Sequence, residues 1–320
     1  VPNGGRYDGA LGVIAALEVA RVLKEKGIET KHPLEIISFA AEESPRFGSA
    51  TLGSQIMFGK EVPYQDEIKA ALAKIGFKLD GSAKRKLSEF AAFIELHIEQ
   101  GRVLEELGKK VGIVTAIARA TRYSAEIIGA ADHSGATPMN IRKDALACAA
   151  EIVLEVEKAA KEIGGDTTVA TVGRLTVFPS AMTVIPGRVE FSIDIRDINF
   201  KQKTKVVAHI EEFMKERAKA RNLELNFRQI EDSVPVELSE KVITAMQSVA
   251  EKHKLSSHTM HSGAGHDAMI FAEESIPTGM IFVPCKDGKS HTPEEYAEID
   301  DIIPGVELLY QTVLELDSKL

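Results

Sequence analysis

The stretch GRVEFSIDIRDI, residues 187–198, alternates apolar and polar side chains over most of its length. Successive side chains of a strand point to opposite faces, so this pattern predicts a strand with one packed face and one polar face. RYSAEIIGA at 122–130 alternates in the same way. By contrast, GMIFVP at 279–284 and IISFA at 36–40 are mainly apolar, which is typical of strands covered on both faces. Two kinds of sheet in one chain predict two domains.

Helices and strands alternate along the rest of the chain. Apolar residues at helical spacing predict helices over 9–26, 142–163, 202–221, 239–253 and 301–317. Runs of apolar and β-branched residues bounded by turn formers predict strands that include 34–43, 93–101, 168–178, 187–198 and 279–284. This order predicts an α/β fold. An α+β domain at 114–231 is expected to interrupt a main domain formed by 1–113 and 232–320.

The composition is that of an ordinary globular protein and excludes few functions. Of the 320 residues, 27% are charged and 44% are hydrophobic. The net charge of -9 argues against a nucleic-acid partner, because neutralising phosphates requires clustered Lys and Arg. No stretch approaches the roughly 20 continuous apolar residues of a membrane span. The two cysteines, Cys148 and Cys285, are too few for a disulfide framework, which favours a reducing compartment such as the cytoplasm.

Five acidic or histidine residues lie where predicted strands end or helices begin: Asp8, Glu42, Glu43, His97 and His291. Taken singly, each has an ordinary interpretation, such as an exposed loop acid or a buried core histidine. Taken together, they lie where open α/β sheets place their sites. Carboxylates and imidazoles without thiolates suit zinc, manganese or cobalt, and hydrolysis is a reaction that such ions support.

The stretch HSGAGHDA, residues 261–268, matches a dinucleotide-binding pattern superficially. That motif needs an apolar strand before it and an acid about 20 residues after it. The preceding residues HKLSSHTM, 253–260, are mostly polar, and His266 and Asp267 fit a pyrophosphate poorly. We therefore favour a backbone nest for an anionic group over a dinucleotide cofactor.

Six motifs occur in a characteristic order: DGALGV (8–13), AAEES (40–44), ELHIEQG (95–101), HSGATPM (133–139), HSGAGHDA (261–268) and SHTPEE (290–295). The chain thereby resembles the metal-dependent amidohydrolases of the M20 peptidase superfamily over essentially its whole length. The branch it resembles contains N-carbamoyl-L-amino acid hydrolases, allantoate amidohydrolases and β-alanine synthase. ELHIEQG is highly specific for that branch.

The resemblance implies a two-domain protein, with a mixed-sheet, zinc-peptidase-like catalytic domain and an inserted dimerisation or lid domain. Two divalent ions are expected, zinc, manganese or cobalt. Asp8 would bridge them, Glu43 and His291 would complete one ion, and His97 would belong to the other. Glu42 would act as the general base toward water.

The substrate-binding residues implied by the resemblance come from both domains. Gln100 and His133 would contact the substrate, with His133 reaching the partner's site across a homodimer, and Arg196 would hold the substrate carboxylate. The loop Gly263, Ala264 and Gly265 would line the pocket. Thr183 stands where relatives have a substrate-binding Asn, which bears on substrate choice.

Two other departures from the family pattern concern the ions. Ala41 stands where family members commonly have Asp. In the family, a His-x-Asp pair precedes the position of Val1, and its His is a ligand of the second ion. The resemblance therefore implies an N-terminally truncated chain whose second ion binds weakly, since catalytic zinc normally has three protein ligands.

The activity implied is hydrolysis of the ureido C–N bond of N-carbamoyl-L-amino acids or related ureido acids such as allantoate. The products would include ammonia and carbon dioxide. An aminoacylase or dipeptidase of the same superfamily is the alternative, although peptidase relatives usually have a carboxylate where His97 stands. A further alternative is an inactive, metal-deficient homologue that acts as a binding or scaffold protein.

Overall fold

The computed structural model describes residues 1–43, 46, 49–81 and 84–319, which fall into two units. One unit comprises 1–117 and 236–320, and the other comprises 118–235. The junctions lie after Ile117 and Pro235, compared with the expected 113/114 and 231/232. The reason for the first difference is that residues 111–117 form a strand of the first unit's sheet.

In chain order, the helices and strands of the described residues are α1 (Ala10–Glu25), α2 (Leu52–Met57), α3 (Gln65–Ala73), β1 (Phe93–Ile98), α4 (Val103–Leu107), β2 (Val111–Ile117), β3 (Arg119–Ile128), α5 (Ala145–Glu162), β4 (Val169–Phe178), β5 (Arg188–Asp197), α6 (Phe200–Ala220), β6 (Glu224–Asp232), β7 (Val236–Glu237), α7 (Glu240–Lys252), β8 (Ser257–Ser262), α8 (Ala268–Glu273), β9 (Thr278–Val283) and α9 (Ile299–Lys319). Short 3₁₀ turns cover Leu87–Glu89, Met139–Ile141 and Lys286–Gly288. Among the described residues, the helices lack the length and apolar character needed to cross a membrane.

The first unit is built on a mixed five-stranded sheet. The order is β1-β9-β2-β7, and β8 pairs with β2. β1 runs parallel to β9, and β2 runs antiparallel to β9 but parallel to β8. Helices α1, α7 and α9 pack in one buried cluster with the sheet, while α8 contributes to a second. Strand β9 is buried along its whole length, as its continuous apolar run predicts.

Helix α1 packs directly on the backbone of β1. Its buried residues Leu11, Ala15, Val19 and Leu23 recur every four positions, which places them on one face. Gly12 permits the close approach, because a Cβ at this position would lie 2.3 Å from the carbonyl oxygen of Leu96. This contact fixes the start of α1 beside the end of β1.

The second unit is an α+β layer with an antiparallel sheet of order β4-β5-β3-β6. Along β5 every second residue is buried, from Val189 to Ile195, and these side chains pack with α5 and α6. The opposite face carries ion pairs such as Arg122 with Asp194. The alternating pattern of residues 187–198 thus corresponds to one packed face and one polar face.

The predicted strand at 34–43 is wrong. The described residues 34–43 pair with no other strand, and a strand exists only with a hydrogen-bonded partner. The carbonyl groups of Ala40, Ala41 and Glu42 instead accept N–H bonds from residues 53, 52 and 51, at the start of α2. A cavity of about 680 Å³ is lined by this segment and by β1.

Other differences from the sequence-based boundaries have local causes. Helix α5 begins at residue 145 rather than 142, because the Asp144 side chain accepts the N–H groups of Leu146 and Ala147 as an N-cap. The sequence pattern does not predict strand β8, because its side chains are mainly polar. It belongs to the sheet through its backbone pairing with β2.

We expect Gly12→Ala to destabilise the protein by about 1–3 kcal/mol, the usual cost of forcing an extra group into a packed interior. In an unhindered helix the same substitution would stabilise by about 1 kcal/mol. Chemical denaturation followed by circular dichroism gives the measurement. Gly263→Ala is the control, because a Cβ there meets no atom within 4 Å. A Gly12→Ala variant as stable as the parent protein would contradict the close packing of α1 on β1.

Candidate metal centre and active site

Four side chains contact the carboxylate of Asp8. Its Oδ1 lies 3.0 Å from Nε2 of His97, and its Oδ2 lies 3.1 Å from Nε2 of His291. Oδ2 also accepts hydrogen bonds from Nε2 of Gln100 and Oγ of Ser290, each at 2.7 Å. Burial alone would raise the pKa of Asp8, but the contacts with His97, Ser290 and Gln100 prevail and hold it well below its usual range. One carboxylate therefore presents its two oxygens to two different histidines.

Glu43 and His291 complete a compact group with Asp8. Nε2 of His291 lies 2.8 Å from Oε1 of Glu43. One ligand atom from each of the three residues lies within 4.8 Å of the others. Oxygen and imidazole donors at this separation are the kind of set that holds zinc, manganese or cobalt. The residues present therefore fit a divalent cation.

His97 faces Asp8 from the end of β1. Its ring is 5% exposed, and Nδ1 lies 2.8 Å from the carbonyl oxygen of Ile98, to which it can donate. Nε2 is then directed at Asp8. Burial disfavours the charged ring, but the bond to Asp8 and the charges of Glu95 and Asp8 prevail and raise the pKa of His97 to about 9. The surroundings of Nε2 thus favour a positive charge beside Asp8.

Residues around the site have unusual backbone conformations. Ala41, Gln100 and His291 have φ angles of 54°, 59° and 59°, in the left-handed region that non-glycine residues rarely adopt. Such conformations cost on the order of 1–3 kcal/mol each and cluster at functional sites. Their coincidence at one place supports a functional role for this group.

Glu42 lies in the same cavity as Asp8, Glu43 and His97. Burial, together with the negative charges of Asp267, Glu43 and Glu95, raises the pKa of Glu42 to about 8. A carboxyl group with a pKa near neutrality can both accept and return a proton. This property distinguishes Glu42 from ordinary surface glutamates.

Comparison with known proteins identifies the family. The peptidase family M20/M25/M40 matches residues 2–315. The chain belongs to this family. Its M20 membership agrees with the motif order and with the mixed sheet that carries the acidic and histidine ligands.

Individual M20 relatives match over most of their length. The chain is 37% identical to the N-carbamoyl-L-amino-acid amidohydrolase of Pseudomonas sp. (strain NS671), over 98% of this chain and 79% of the relative. It is 33% identical to the allantoate amidohydrolase of Escherichia coli (strain K12), over 99% and 79%. A crystal structure of an amidase of the hydantoinase/carbamoylase family from Burkholderia multivorans superposes with a TM-score of 0.88 at 34% identity, covering 98% of this chain and 78% of that one.

Two residues that the sequence analysis did not single out, Ser290 and Glu295, contact Asp8 in the structure. Glu295 is 1% exposed, and its carboxylate accepts the N–H groups of Tyr7 and Asp8 at 2.7 and 2.9 Å. Both residues belong to SHTPEE, so the motif contained them. Only His291 of that motif was singled out, because its imidazole is a familiar ligand.

A second set of buried polar residues lies behind His97. Glu95 accepts the N–H of Ala268 at 2.8 Å, and burial raises the pKa of Glu95 to about 7. The ring of His266 lies 4.7 Å from that of His97, centre to centre, and burial holds the pKa of His266 well below its usual value. Asp267 accepts a hydrogen bond from Ser54 of α2, which connects the neighbourhood of Glu42 to α8.

The loop of Gly263, Ala264 and Gly265 connects β8 to α8. Oγ of Ser262 lies 2.9 Å from the Ala264 carbonyl oxygen and 2.9 Å from Nε2 of His266, so the loop is tied to a buried histidine. The strand that precedes this motif, β8, carries mainly polar side chains, so the apolar strand that a dinucleotide-binding motif needs is not found there.

His133 and Thr183 lie together in the second unit. The Ser134 N–H donates to the Thr183 carbonyl oxygen at 2.9 Å, and His133 forms an isolated bridge with Val184. Nδ1 of His133 accepts the N–H groups of Gly135 and Ala136 at 3.0 and 3.2 Å. This assigns the proton of the neutral ring to Nε2, so exposed His133 presents a hydrogen-bond donor.

Arg196 lies on the polar face of the second unit's sheet. Its Nε donates to Oδ1 of Asp194 at 2.8 Å, and Nη2 lies 3.2 Å from Oδ2. Asp194 also binds Arg122. Asp194 therefore occupies part of the hydrogen-bonding edge of the Arg196 guanidinium.

We expect Asp8→Ala and His291→Ala to weaken binding of Mn²⁺ by at least about 100-fold, more than loss of a residue that only supports a ligand. Titration calorimetry on protein stripped of metal measures the affinity. His253→Ala, a histidine elsewhere in the same unit, is the control and should bind as the parent protein does. Equal affinities in all four proteins would rule out this group as the metal centre.

We expect Glu42→Gln to stabilise the metal-free protein at alkaline pH. Because the folded pKa is about 8 and the ordinary value is 4.5, the carboxyl's contribution to stability is full below about pH 4.5 and is lost as the pH rises through 8. The variant should therefore gain a few kcal/mol at pH 8 and almost nothing at pH 4.5. Denaturation midpoints of the variant and the parent protein, measured between pH 4.5 and 8, test this expectation. Glu61→Gln, at an exposed glutamate, is the control. A gain independent of pH would contradict the raised pKa.

Proposed function

We propose that this chain hydrolyses the ureido C–N bond of N-carbamoyl-L-amino acids or related ureido acids such as allantoate. Relatives in the M20 family that are named N-carbamoyl-L-amino-acid amidohydrolase and allantoate amidohydrolase support this substrate class. The observation that carries the proposal is the arrangement of Asp8, whose Oδ1 faces His97 and whose Oδ2 faces His291. A carboxylate shared in this way suits a pair of cations.

Asp8, Glu43 and His291 would hold one divalent ion, and His97 together with Asp8 would hold a second. Zinc, manganese or cobalt would suit these donors. When bound, the ions supply Lewis acidity for hydrolysis. Side chains of the protein would transfer the proton and bind the substrate.

Glu42 is the proposed general base. It accepts a proton from the attacking water, whose oxygen forms a bond to the ureido carbon, and returns the proton to the departing terminal nitrogen as that C–N bond breaks. Ammonia leaves, and the carbamate that remains decomposes to carbon dioxide and the amino acid. The raised pKa of Glu42, about 8, suits a group that must hold and release a proton near neutral pH.

Gln100 is proposed to orient the substrate. Its Nε2 donates to Asp8, while its buried Oε1 has no hydrogen-bond partner among the residues that the structure describes. A buried acceptor without a partner is costly, and a donor on a ligand would satisfy it. A ureido group carries N–H donors, so it matches this vacant acceptor.

Residues of the second unit are proposed to contribute to binding and turnover. His133 offers an Nε2–H donor that suits the developing oxyanion. Arg196 is proposed to bind the substrate carboxylate, and Thr183 is proposed to contact the substrate. The loop of Gly263, Ala264 and Gly265, which belongs to the first unit, is proposed to line the pocket. A homodimer through the second unit and a cytoplasmic location remain predictions, the latter consistent with two free, buried cysteines, Cys148 and Cys285.

The test is an ammonia assay with N-carbamoyl-L-amino acids and allantoate, each with Mn²⁺, Co²⁺ or Zn²⁺. We expect ammonia release from at least one ureido acid and a loss of kcat of about 10²–10⁴-fold in Glu42→Gln, because the general base is removed. Metal content should stay unchanged, and Glu61→Gln should retain full activity.

The same assay includes dipeptides and N-acyl amino acids. Cleavage of these compounds without ammonia release would instead favour an aminoacylase or dipeptidase. Absence of turnover together with fewer than two bound ions would favour an inactive homologue. A Glu42→Gln variant with a normal rate would refute the role of Glu42.

A further inference from the structure

Glu295 is a buried carboxylate that no part of the proposed chemistry uses. It is 1% exposed and lies four residues after His291, at the end of a turn closed by its own N–H bond to the Thr292 carbonyl oxygen. Burying a carboxylate is costly unless hydrogen-bond donors surround it. Its donors come from the segment that carries Asp8.

The two oxygens of Glu295 contact both sides of the site. Oε1 accepts the successive N–H groups of Tyr7 and Asp8 at 2.7 and 2.9 Å, and Oε2 lies 3.0 Å from Oγ of Ser290. The backbone of Asp8 is thereby tied to the loop that carries His291. This attachment places the Asp8 backbone where its carboxylate reaches His97 and His291.

Gly5 shows how closely the segment wraps around this carboxylate. A Cβ at position 5 would lie 2.3 Å from Oε1 and 2.4 Å from Cβ of Glu295. Only glycine leaves room for the contact. The ring of Tyr7 packs edge-on against that of Tyr296 at 5.9 Å, which holds the same two segments together on the other side.

Ser290 connects Glu295 to the side chain of Asp8. Its Oγ lies 2.7 Å from Oδ2 of Asp8 and 3.0 Å from Oε2 of Glu295. A hydroxyl has one hydrogen, so it can donate to one of these carboxylates at a time. A positive ion at Asp8 would satisfy that oxygen and leave the hydroxyl free to donate to Glu295.

We propose that Glu295 and Ser290 are positioning residues that orient Asp8 toward His97 and His291 and so set the affinity of the site for its cation. Both residues would act through Asp8 rather than as ligands of the cation. Supporting residues of this kind typically change metal affinity or activity by 10–100-fold when removed. The effect on turnover rests on the proposed function, whereas the effect on cation binding does not.

The experiment compares Ser290→Ala, Glu295→Gln, the double variant and Glu294→Gln. Glu294 is the adjacent exposed acid and provides a matched control. Glutamine has the same shape as glutamate, and its oxygen can still accept the N–H groups of Tyr7 and Asp8. Its amide nitrogen then takes the place of Oε2 and cannot accept a hydrogen bond from Ser290. The dissociation constant for Mn²⁺ is measured by calorimetry on metal-free protein, and thermal midpoints without metal report folding separately.

We expect each single variant to raise the dissociation constant about 10-fold or more. The double variant should bind Mn²⁺ about as weakly as the more affected single variant, because both substitutions remove the same contact, that between Oγ of Ser290 and Oε2 of Glu295. At saturating Mn²⁺, kcat on a ureido acid should fall while KM stays constant. Dissociation constants within twofold of that of Glu294→Gln would overturn the proposal, as would effects that multiply in the double variant. If the parent protein binds Mn²⁺ but hydrolyses no ureido acid, while the variants bind weakly, the proposed function fails and the positioning role stands.

Discussion

The site depends on one carboxylate reaching two imidazoles. Oδ1 of Asp8 is directed at His97 and Oδ2 at His291, at 3.0 and 3.1 Å. Three distant parts of the chain must therefore meet: the entrance of α1, the end of β1 and the loop after β9. The parallel pairing of β1 with β9 brings the ends of these two strands to one edge of the sheet. The contact of Gly12 with the Leu96 backbone brings α1 to the same place.

Bringing these groups together carries an electrostatic cost. Asp8, Glu42, Glu43, Glu95 and Asp267 concentrate negative charge in a partly buried space. Burial and mutual repulsion raise the pKa of Glu42 to about 8, while burial raises those of Glu95 and Asp267 to about 7 and about 6. Asp8 is the exception, because donors surround it and keep it ionised. The pKa of His97 is raised despite its burial, by the bond to Asp8 and the charges of Glu95 and Asp8. A divalent cation would relieve the repulsion among the carboxylates.

Several features of the fold could be predicted from local sequence. The alternation in residues 187–198 reflects one packed and one polar face, and the continuous apolar run at 279–284 reflects a strand buried on both faces. The strand predicted at 34–43 is wrong because apolar, β-branched residues favour extended backbone but cannot supply a partner strand. Strand β8 could not be predicted from its mainly polar side chains, because it belongs to the sheet only through its backbone pairing with β2.

The sequence by itself determined the layered α/β character and the chemical identity of Asp8, Glu42, Glu43, His97 and His291, because periodicity and residue type are local properties. Only the tertiary structure decided that the two oxygens of Asp8 face different histidines, that Glu295 holds the Asp8 backbone, and that Asp194 pairs with Arg122 of β3. Each of these depends on distances between residues far apart in the chain. Such distances are set by strand register and helix packing, which no single stretch of sequence encodes.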